Sequence, residues 1–419
     1  MSILSFEQAY ETALGYSRAL AAPQTEKVAL LAANGRVLAE PLLADRDFPP
    51  FPRATRDGYA LRAADLASLP ATLEIIGEIK AGAGFNKRVK SGHAVEIMTG
   101  AAVPAGADAV VMVEYTSQAG SRVKVERAVA AGENVVAAGA EAHAGQELIS
   151  PGQFMRTPHI AMAAAVGKPT LRVYRKPLVA ILATGDELVD VSETPGPHQI
   201  RNSNTYSLAA QVADHGGEPL PLPVAPDEER KLTTLIHAGL QQADMLLLSG
   251  GVSMGKFDLV EQALSKLGAH FFFTGAQIQP GRPVVFGEVP NPRMDRNAGH
   301  KSDTAPAKMP FFGLPGNPVS VMVTFDLFVR PVLQALCGAA PTRLPAVQAR
   351  LAAGFKTKTG LTRFLPALLK GGLYDPEVEV VPWQGSGDVL ASVRANCYLV
   401  VPPDRERIAA GEMVSVLVR

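Results

Sequence analysis

Between Lys176 and about Ser320, three long apolar runs each stop in a short polar turn that carries glycine. They read LVAILATGDEL, DMLLLSGGVSMGKFD and MPFFGLPGNPVS. A strand buried on both faces of a parallel sheet is a continuous apolar run, unlike the alternation of a half-solvated strand. Between these runs the apolar positions take helical spacing: NTYSLAAQVAD stops at Gly216-Gly217, and Asp227-Glu228-Glu229 opens a segment to Ala243. Strand and helix in alternation predict a doubly wound α/β domain over 176–337. Ligands bind outside the carboxyl ends of such strands, so the three turns predict one cleft.

The flanking patterns differ. Residues 2–40 read as helical, with Ser5 capping a helix to about Leu20 and a second helical segment from Thr25 through Leu30 and Leu31 to Asn34-Gly35. After Asp45-Arg46-Asp47 come short alternating strands, LEIIGEI, AVEIMTG, DAVVMVEY and RVKVERAV, which predict an all-β module over 46–143. GQFMRTPHIAMAAAVG then predicts one helix with Thr157 as cap and Pro158 in its first turn. The β module is thus inserted into an elongated helical domain made of 1–45 and 144–175. Beyond Pro341 five short strands, among them TRFLPALLK and CYLVVPP, predict a terminal β-barrel or sandwich over 338–419. The polar stretch NPRMDRNAGHKSDTAPAKM predicts a mobile hairpin excursion from the α/β domain. The fold class is multidomain, α/β plus β.

Charge and cysteine content narrow the function. Lys+Arg 40 against Asp+Glu 40 gives zero formal charge, so no global field recruits nucleic acid or a membrane, and any anion site must be local. Two cysteines without CxxC spacing indicate neither a disulfide framework nor a thiolate zinc site. MSILSFEQAYETALGY carries Glu7 and Glu11 where a signal peptide is basic and then apolar, and no apolar run approaches the roughly 20 residues of a membrane span. The chain reads as a cytosolic protein.

The turns carry the candidate chemistry. Thr184-Gly185-Asp186-Glu187 can hold an anion, with Glu187 or Asp186 as metal ligand or base, or it can simply end a strand with solvated acids. Ser249, Gly250, Gly251 and Ser253 form the second turn. GVSMG also matches the nucleophile elbow of serine hydrolases, with His300 and Asp295 or Asp303 to complete a triad. The extra Gly250 and the five-residue step from Ser253 to Asp258 speak against that, because an elbow serine opens its helix directly. Ser203 or Asn204 is accounted for as a helix cap. Asp227 and Asp258 could likewise be caps, Asp258 in a capping box with Glu261. Both nevertheless lie at strand carboxyl ends, where oxygen ligands from several loops suit Mg²⁺. In the third turn, Pro315, Gly316, Asn317 and Pro318 start a helix whose positive end faces the cleft, and Arg282 beside Pro283 adds a permanent cationic fork.

Taken in order, PPFPRATRDGYAL, EIMTGAAVPAGADAVV, VAILATGDELV, LLLSGGVSMGKFD, QPGRPVVFG and GLPGNPVS resemble the molybdopterin molybdenumtransferase family, to which MoeA and the E domain of gephyrin belong. The resemblance spans nearly the whole chain. It implies a helical dimerisation domain, an inserted β domain, a central domain like the molybdopterin adenylyltransferases and a carboxyl-terminal β-barrel, assembled as an elongated homodimer. It further implies that adenylylated molybdopterin and molybdate give molybdenum cofactor and AMP with Mg²⁺, with adenylyltransferase and molybdoenzyme partners. Glu187, Asp227 and Asp258 would hold metal and substrate, while Asp57 and Thr99 reach in from the other subunit. Arg282, Pro283, Ser320, Arg363 and Ser386 match positions associated with molybdate. Two departures stand out: Val136 and Glu141 replace an arginine and an aspartate of the family pattern, and Gln279 and Arg282 replace two lysines. The loss of a cation at Val136 and at Gln279 should weaken anion capture, so the alternative is a tungstate-preferring or non-catalytic molybdopterin-binding scaffold.

Overall fold

The computed structural model describes residues 2–250, 257–295, 308–372 and 374–419, without the side chains of 257, 258, 294 and 295. Its central sheet has six strands in the order Glu218–Pro221, Leu178–Ala183, Met245–Ser249, Lys308–Leu314, Val285–Pro290, His270–Phe273. The first four run parallel, and their register sets Ala183 beside Ser249 and Ser249 beside Leu314. Three strands therefore end level with one another. Val285–Pro290 instead pairs antiparallel with Lys308–Leu314, because the polar segment between them has no apolar stripe to serve as a crossover helix. Residues 296–307, the bulk of the stretch expected to form a hairpin excursion, lie outside the described residues.

Successive residues of each central strand enter opposite cores. Val179, Ile181, Met245, Leu247 and Phe312 pack with helices Asn204–Asp214 and Pro318–Leu336. Ala180, Leu182, Leu246, Leu248 and Phe311 pack with Glu229–Gln242 and Phe257–Lys266. Covering both faces is what makes the runs continuously apolar. Full burial of one such leucine or phenylalanine contributes about 1.5–3 kcal/mol. Pro318–Leu336 is 19 residues long with mean hydropathy 1.5, close to a membrane span by composition and longer than the apolar runs anticipated from the sequence. It is 72% buried inside the protein, as the core helix of this layer.

The amino-terminal region departs from the helical expectation. Phe6–Ala19 is a helix whose cap Ser5 and Gln8 bond each other's backbone amides, a capping box. It does not stand in a separate helical domain. Ala9, Tyr10, Ala13 and Leu14 join the central core, and the Phe6 ring meets Phe364 of the terminal module at 5.0 Å between centroids. Thr25–Ala29 is a strand, not a helix, and pairs antiparallel with Thr170–Tyr174; only Leu30–Ala33 turns, as a short 3₁₀ helix. TEKVA has no apolar stripe at helical spacing, whereas its neighbours Leu171 and Val173 bury fully on the small core around Leu38 and Met155. Thr157–Ala165 is the one α-helix there, with Arg156 rather than Thr157 at the cap.

The inserted module is a six-stranded sheet ordered Ala109–Met112, Gly58–Leu61, His93–Ile97, Ala71–Ile79, Arg122–Val125, Thr116–Ala119, with a core on each face. Gly58 is required by packing, since a Cβ there would sit 1.9 Å from the Val111 carbonyl oxygen. The terminal module closes into a five-stranded barrel because Thr362–Gly371 pairs with both Pro376–Val380 and Cys397–Val401. Ile278–Gln279 of the central domain adds to it in parallel, Gln279 beside Arg363. Cys337 and Cys397 are buried and unpaired, and burial pushes the Cys337 thiol up to about 12.

Leu14→Ala tests the placement of the first helix. The substitution should cost about 2–5 kcal/mol. Hydrogen exchange should then speed up in Leu178–Ala183 and Arg330–Leu336, not only in the amino-terminal segment.

Candidate active site at the strand ends

The level strand ends bring the turns into direct contact. The Thr184 amide donates to the Ser249 carbonyl at 2.9 Å. Gly250 has φ +90°, and a Cβ on it would lie 2.3 Å from the Thr184 carbonyl oxygen. The Gly250 Cα in turn lies 3.7 Å from where a Cβ on Gly316 would stand, so the third turn closes on the second. Asn204 ties them: its Nδ2 donates to Ser249 Oγ at 2.9 Å and to the Gly316 carbonyl at 2.7 Å. Sequence reasoning missed this residue by treating it as a cap. Ser203 holds the cap position and Asn202 bonds the Thr205 amide at 3.2 Å, which frees Asn204 to reach across. The signal was present, because three cap-forming residues in a row exceed what one helix start uses.

Carboxylates gather at the neighbouring ends of two strands. Asp227 is not the cap of the helix that follows; Glu228 is, and Asp227 Oδ1 accepts from Thr184 Oγ1 at 3.1 Å. The Asp227 amide donates to Asp186 Oδ1 at 3.0 Å. Glu187 folds back over Gly185, its Oε2 2.6 Å from a Cβ built there. Asp186 and Glu187 are exposed, while Thr184 and Gly185 are buried beneath them. Among the described residues no three acidic, histidine or cysteine groups form a metal cage. Two carboxylates beside a hydroxyl are nevertheless what Mg²⁺ takes when a substrate's phosphates complete its shell, so this donor set fits the ion as a half-site. Phe257–Lys266 begins one residue before Asp258, which places Asp258 in the first turn instead of at the cap. Its side chain, Gly251 and Ser253, and the His300, Asp303 and Asp295 groups of the hydrolase alternative lie outside the described residues.

A second group lies where the central domain meets the barrel. Asn317 occupies the cap of the helix starting at Pro318, but its side chain does not cap. It donates instead to Ser386 Oγ at 2.8 Å, and the Val319 amide donates to the Ser386 carbonyl at 3.0 Å. Pro315 and Ser320 are buried behind this contact, with Gly316 and Asn317 exposed. Gly281, at φ +105°, presses the QPGRP turn against Thr324, leaving Arg282 and Pro283 on the surface. Arg363, only 7% exposed, donates Nη1 to the Leu361 carbonyl at 3.0 Å. Desolvation lowers its pKa, yet a guanidinium remains charged at neutral pH.

Asp57 and Thr99 meet each other on the inserted module. Asp57 Oδ1 accepts from the Thr99 amide at 2.7 Å and from its hydroxyl at 2.9 Å, and these bonds hold the exposed carboxyl below the usual range. Among the described residues no hydrogen bond or ion pair joins either to the strand-end turns of the same chain. Val136 stands opposite Arg53 in a short ladder, and Arg53 pairs with Glu141 at 2.8 Å. Glu141 is thus occupied within its own module.

Fold and site define a multidomain α/β protein whose cleft, at one end of its parallel strands, is lined by carboxylates, hydroxyls and backbone amides beside an arginine-bearing junction. Three family models match it in succession: the MoeA N-terminal region (domain I and II) over residues 4–167, a probable molybdopterin binding domain over 180–335, and the MoeA C-terminal region (domain IV) over 348–418. The chain is 37% identical over 402 residues to the molybdopterin molybdenumtransferase of Nostoc sp. (94% of this chain, 88% of the relative) and 35% identical over 406 residues to that of Bacillus subtilis (94% and 90%). A crystal structure of the molybdopterin biosynthesis moeA protein from Pyrococcus horikoshii OT3 is similar over 100% of both chains, with TM-score 0.79 and 30% identity. This chain belongs to the molybdopterin molybdenumtransferase family.

Two substitutions test the geometry. Asn204→Ala removes both cross-links and leaves the buried Ser249 hydroxyl short of a donor, so it should cost about 1–3 kcal/mol, read as a lower urea midpoint for the central domain. Thr99→Val should raise the Asp57 pKa toward the ordinary value of about 3.9, measured by carboxyl NMR titration. The sign follows from the depressed pKa: the bonds contribute at pH above the ordinary value and are lost as pH falls through the lower, folded-state one.

Proposed function

We propose that this chain inserts molybdate into adenylylated molybdopterin and releases AMP, in the biosynthesis of the molybdenum cofactor. The observation that carries the reading is the level termination of Leu178–Ala183, Met245–Ser249 and Lys308–Leu314, with their turns linked through Thr184 and Asn204 beside the Asn317–Ser386 contact with the barrel. A nucleotide-linked substrate offers two features to such a site. Its phosphates meet the backbone amides and hydroxyls of the turns, and its reacting end lies toward the junction, where Arg282, Ser320, Arg363 and Ser386 receive a tetrahedral dianion.

Thr184 Oγ1, which donates to Asp227, fixes the orientation of that carboxylate. Asp186 is fixed in turn by the Asp227 amide, so the acidic rim is positioned before substrate arrives. Glu187 and Asp227 would hold Mg²⁺, which would neutralise charge on the phosphoryl oxygens when bound. Asp57, kept ionised by Thr99, supplies a carboxylate from the inserted module of a second copy, which makes the active assembly a homodimer. Hand-over from a molybdopterin adenylyltransferase and delivery to molybdoenzymes in the cytoplasm complete this reading.

Purified protein with adenylylated molybdopterin, molybdate and Mg²⁺ should release AMP stoichiometrically with cofactor able to reconstitute a cofactor-free molybdoenzyme. Glu187→Ala and Asp227→Ala should each lower the rate at least about a hundredfold, in line with loss of a principal charge-stabilising group. Chelation should stop AMP release and added Mg²⁺ should restore it. Substrate binding without AMP from the unaltered protein would contradict the transferase reading and make the chain a scaffold. Labelling of Ser253 by a fluorophosphonate would revive the hydrolase alternative.

A further inference from the structure

A cavity of about 440 Å³ lies on the barrel side of the junction, and its walls include Gln279, Lys356, Arg363, Glu379 and Trp383. Its charge is unbalanced. Glu379 is the one acid among its lining residues, and Lys370 Nζ already pairs with it at 2.6 Å. Among the described residues neither Lys356 nor Arg363 makes an ion pair, so two cations face a cavity whose single lining acid, Glu379, is already engaged by Lys370. Gln279 sits directly beside Arg363 in the parallel ladder and contributes an amide where a third cation could stand.

We infer that Lys356 is a specificity-determining residue of the oxyanion site: with Arg363 it clamps a tetrahedral dianion in this cavity, and it supplies from the barrel the charge that Gln279 does not. The inference rests on the molybdate-transfer reading and adds a barrel residue that shares a cavity with Arg363 of that site. Lys356 ends the short strand Phe355–Lys356, and its backbone is held by pairing with Arg407. The ammonium therefore hangs from a fixed base while its stem stays free to reach the anion. Arg363 is buried and planar; Lys356 is exposed and compact. One preorganised fork and one adaptable point charge bind an oxyanion without competing for the same oxygens. Trp383 forms an apolar wall that lowers the local dielectric and strengthens both contacts.

Trp383 is the single tryptophan of the chain, which makes its emission a reporter of this cavity. Molybdate titrations followed by equilibrium dialysis, with Trp383 fluorescence recorded alongside, compare the unaltered protein with Lys356→Gln, Lys356→Arg and the double variant Lys356→Gln/Gln279→Lys. Loss of one charge-assisted contact corresponds to roughly ten- to a hundredfold weaker binding. Lys356→Gln should show that loss, Lys356→Arg should stay within about threefold of the unaltered protein, and the double variant should recover most of the affinity, since charge rather than shape is what is restored. Unaltered protein that binds molybdate, with Lys356→Gln binding equally well, would overturn the role of Lys356 and leave the transfer reading standing. Failure of the unaltered protein to bind molybdate in dialysis would overturn both.

Discussion

Parallel strands deliver their carboxyl ends to one edge of a sheet, and here the register makes three of them stop at one level. Ala183, Ser249 and Leu314 are neighbours across the ladder. Everything chemical in the central domain follows from that alignment. A shift of one residue in any strand would exchange its two buried faces, moving Leu247 or Phe312 out of one core and into the other. Because both cores are tightly filled, the register is fixed by packing energy, and the turns inherit their positions from it. Glycine then allows backbone to touch backbone: Gly250 lies against Thr184, and Gly316 lies against Gly250. A side chain at either place would part the turns that Asn204 joins.

The second dependence is between the central domain and the barrel. Ile278–Gln279 leaves the α/β layer to pair with a barrel strand, Asn317 grips Ser386, and Phe6 packs on Phe364 from the amino-terminal helix. Three contacts of different kinds, a ladder, a side-chain hydrogen bond and an aromatic edge, hold one junction. The cations Lys356 and Arg363 line one cavity beside it in a chain whose overall charge is zero. In the proposed reaction a locally positive junction beside a locally acidic rim would separate two tasks, oxyanion capture and metal-assisted phosphate handling, that would neutralise one another if mixed.

The α/β order, the inserted β module and the terminal barrel were legible in the sequence because each imposes its own hydrophobic period. The strand-end turns were legible for the same reason, since continuous apolar runs must end at a surface. Other features depend on contacts that no local pattern encodes. TEKVA forms a strand because Leu171 and Val173 arrive beside it from well over a hundred residues away. Phe6–Ala19 carries an ordinary amphipathic stripe, and a stripe says that a helix is buried without saying against what. Asn317, Asp227 and Asn204 occupy or adjoin cap positions in the chain, and each spends its side chain across the fold instead. Capping is the local default for these residue types, and tertiary bonds displace it where a neighbouring turn offers a better partner. Lys356 gave no signal in the sequence because its meaning lies in an excess of cations around one cavity, whose lining acid Glu379 is taken by Lys370.

The central claim is that the three turns act as one ligand platform. Amide hydrogen exchange, measured with and without adenylylated molybdopterin, addresses it directly. Simultaneous protection over 184–187, 249–250 and 313–317 is expected, with a common dependence on ligand concentration. Protection confined to a single turn, or appearing only on the inserted β module, would contradict it.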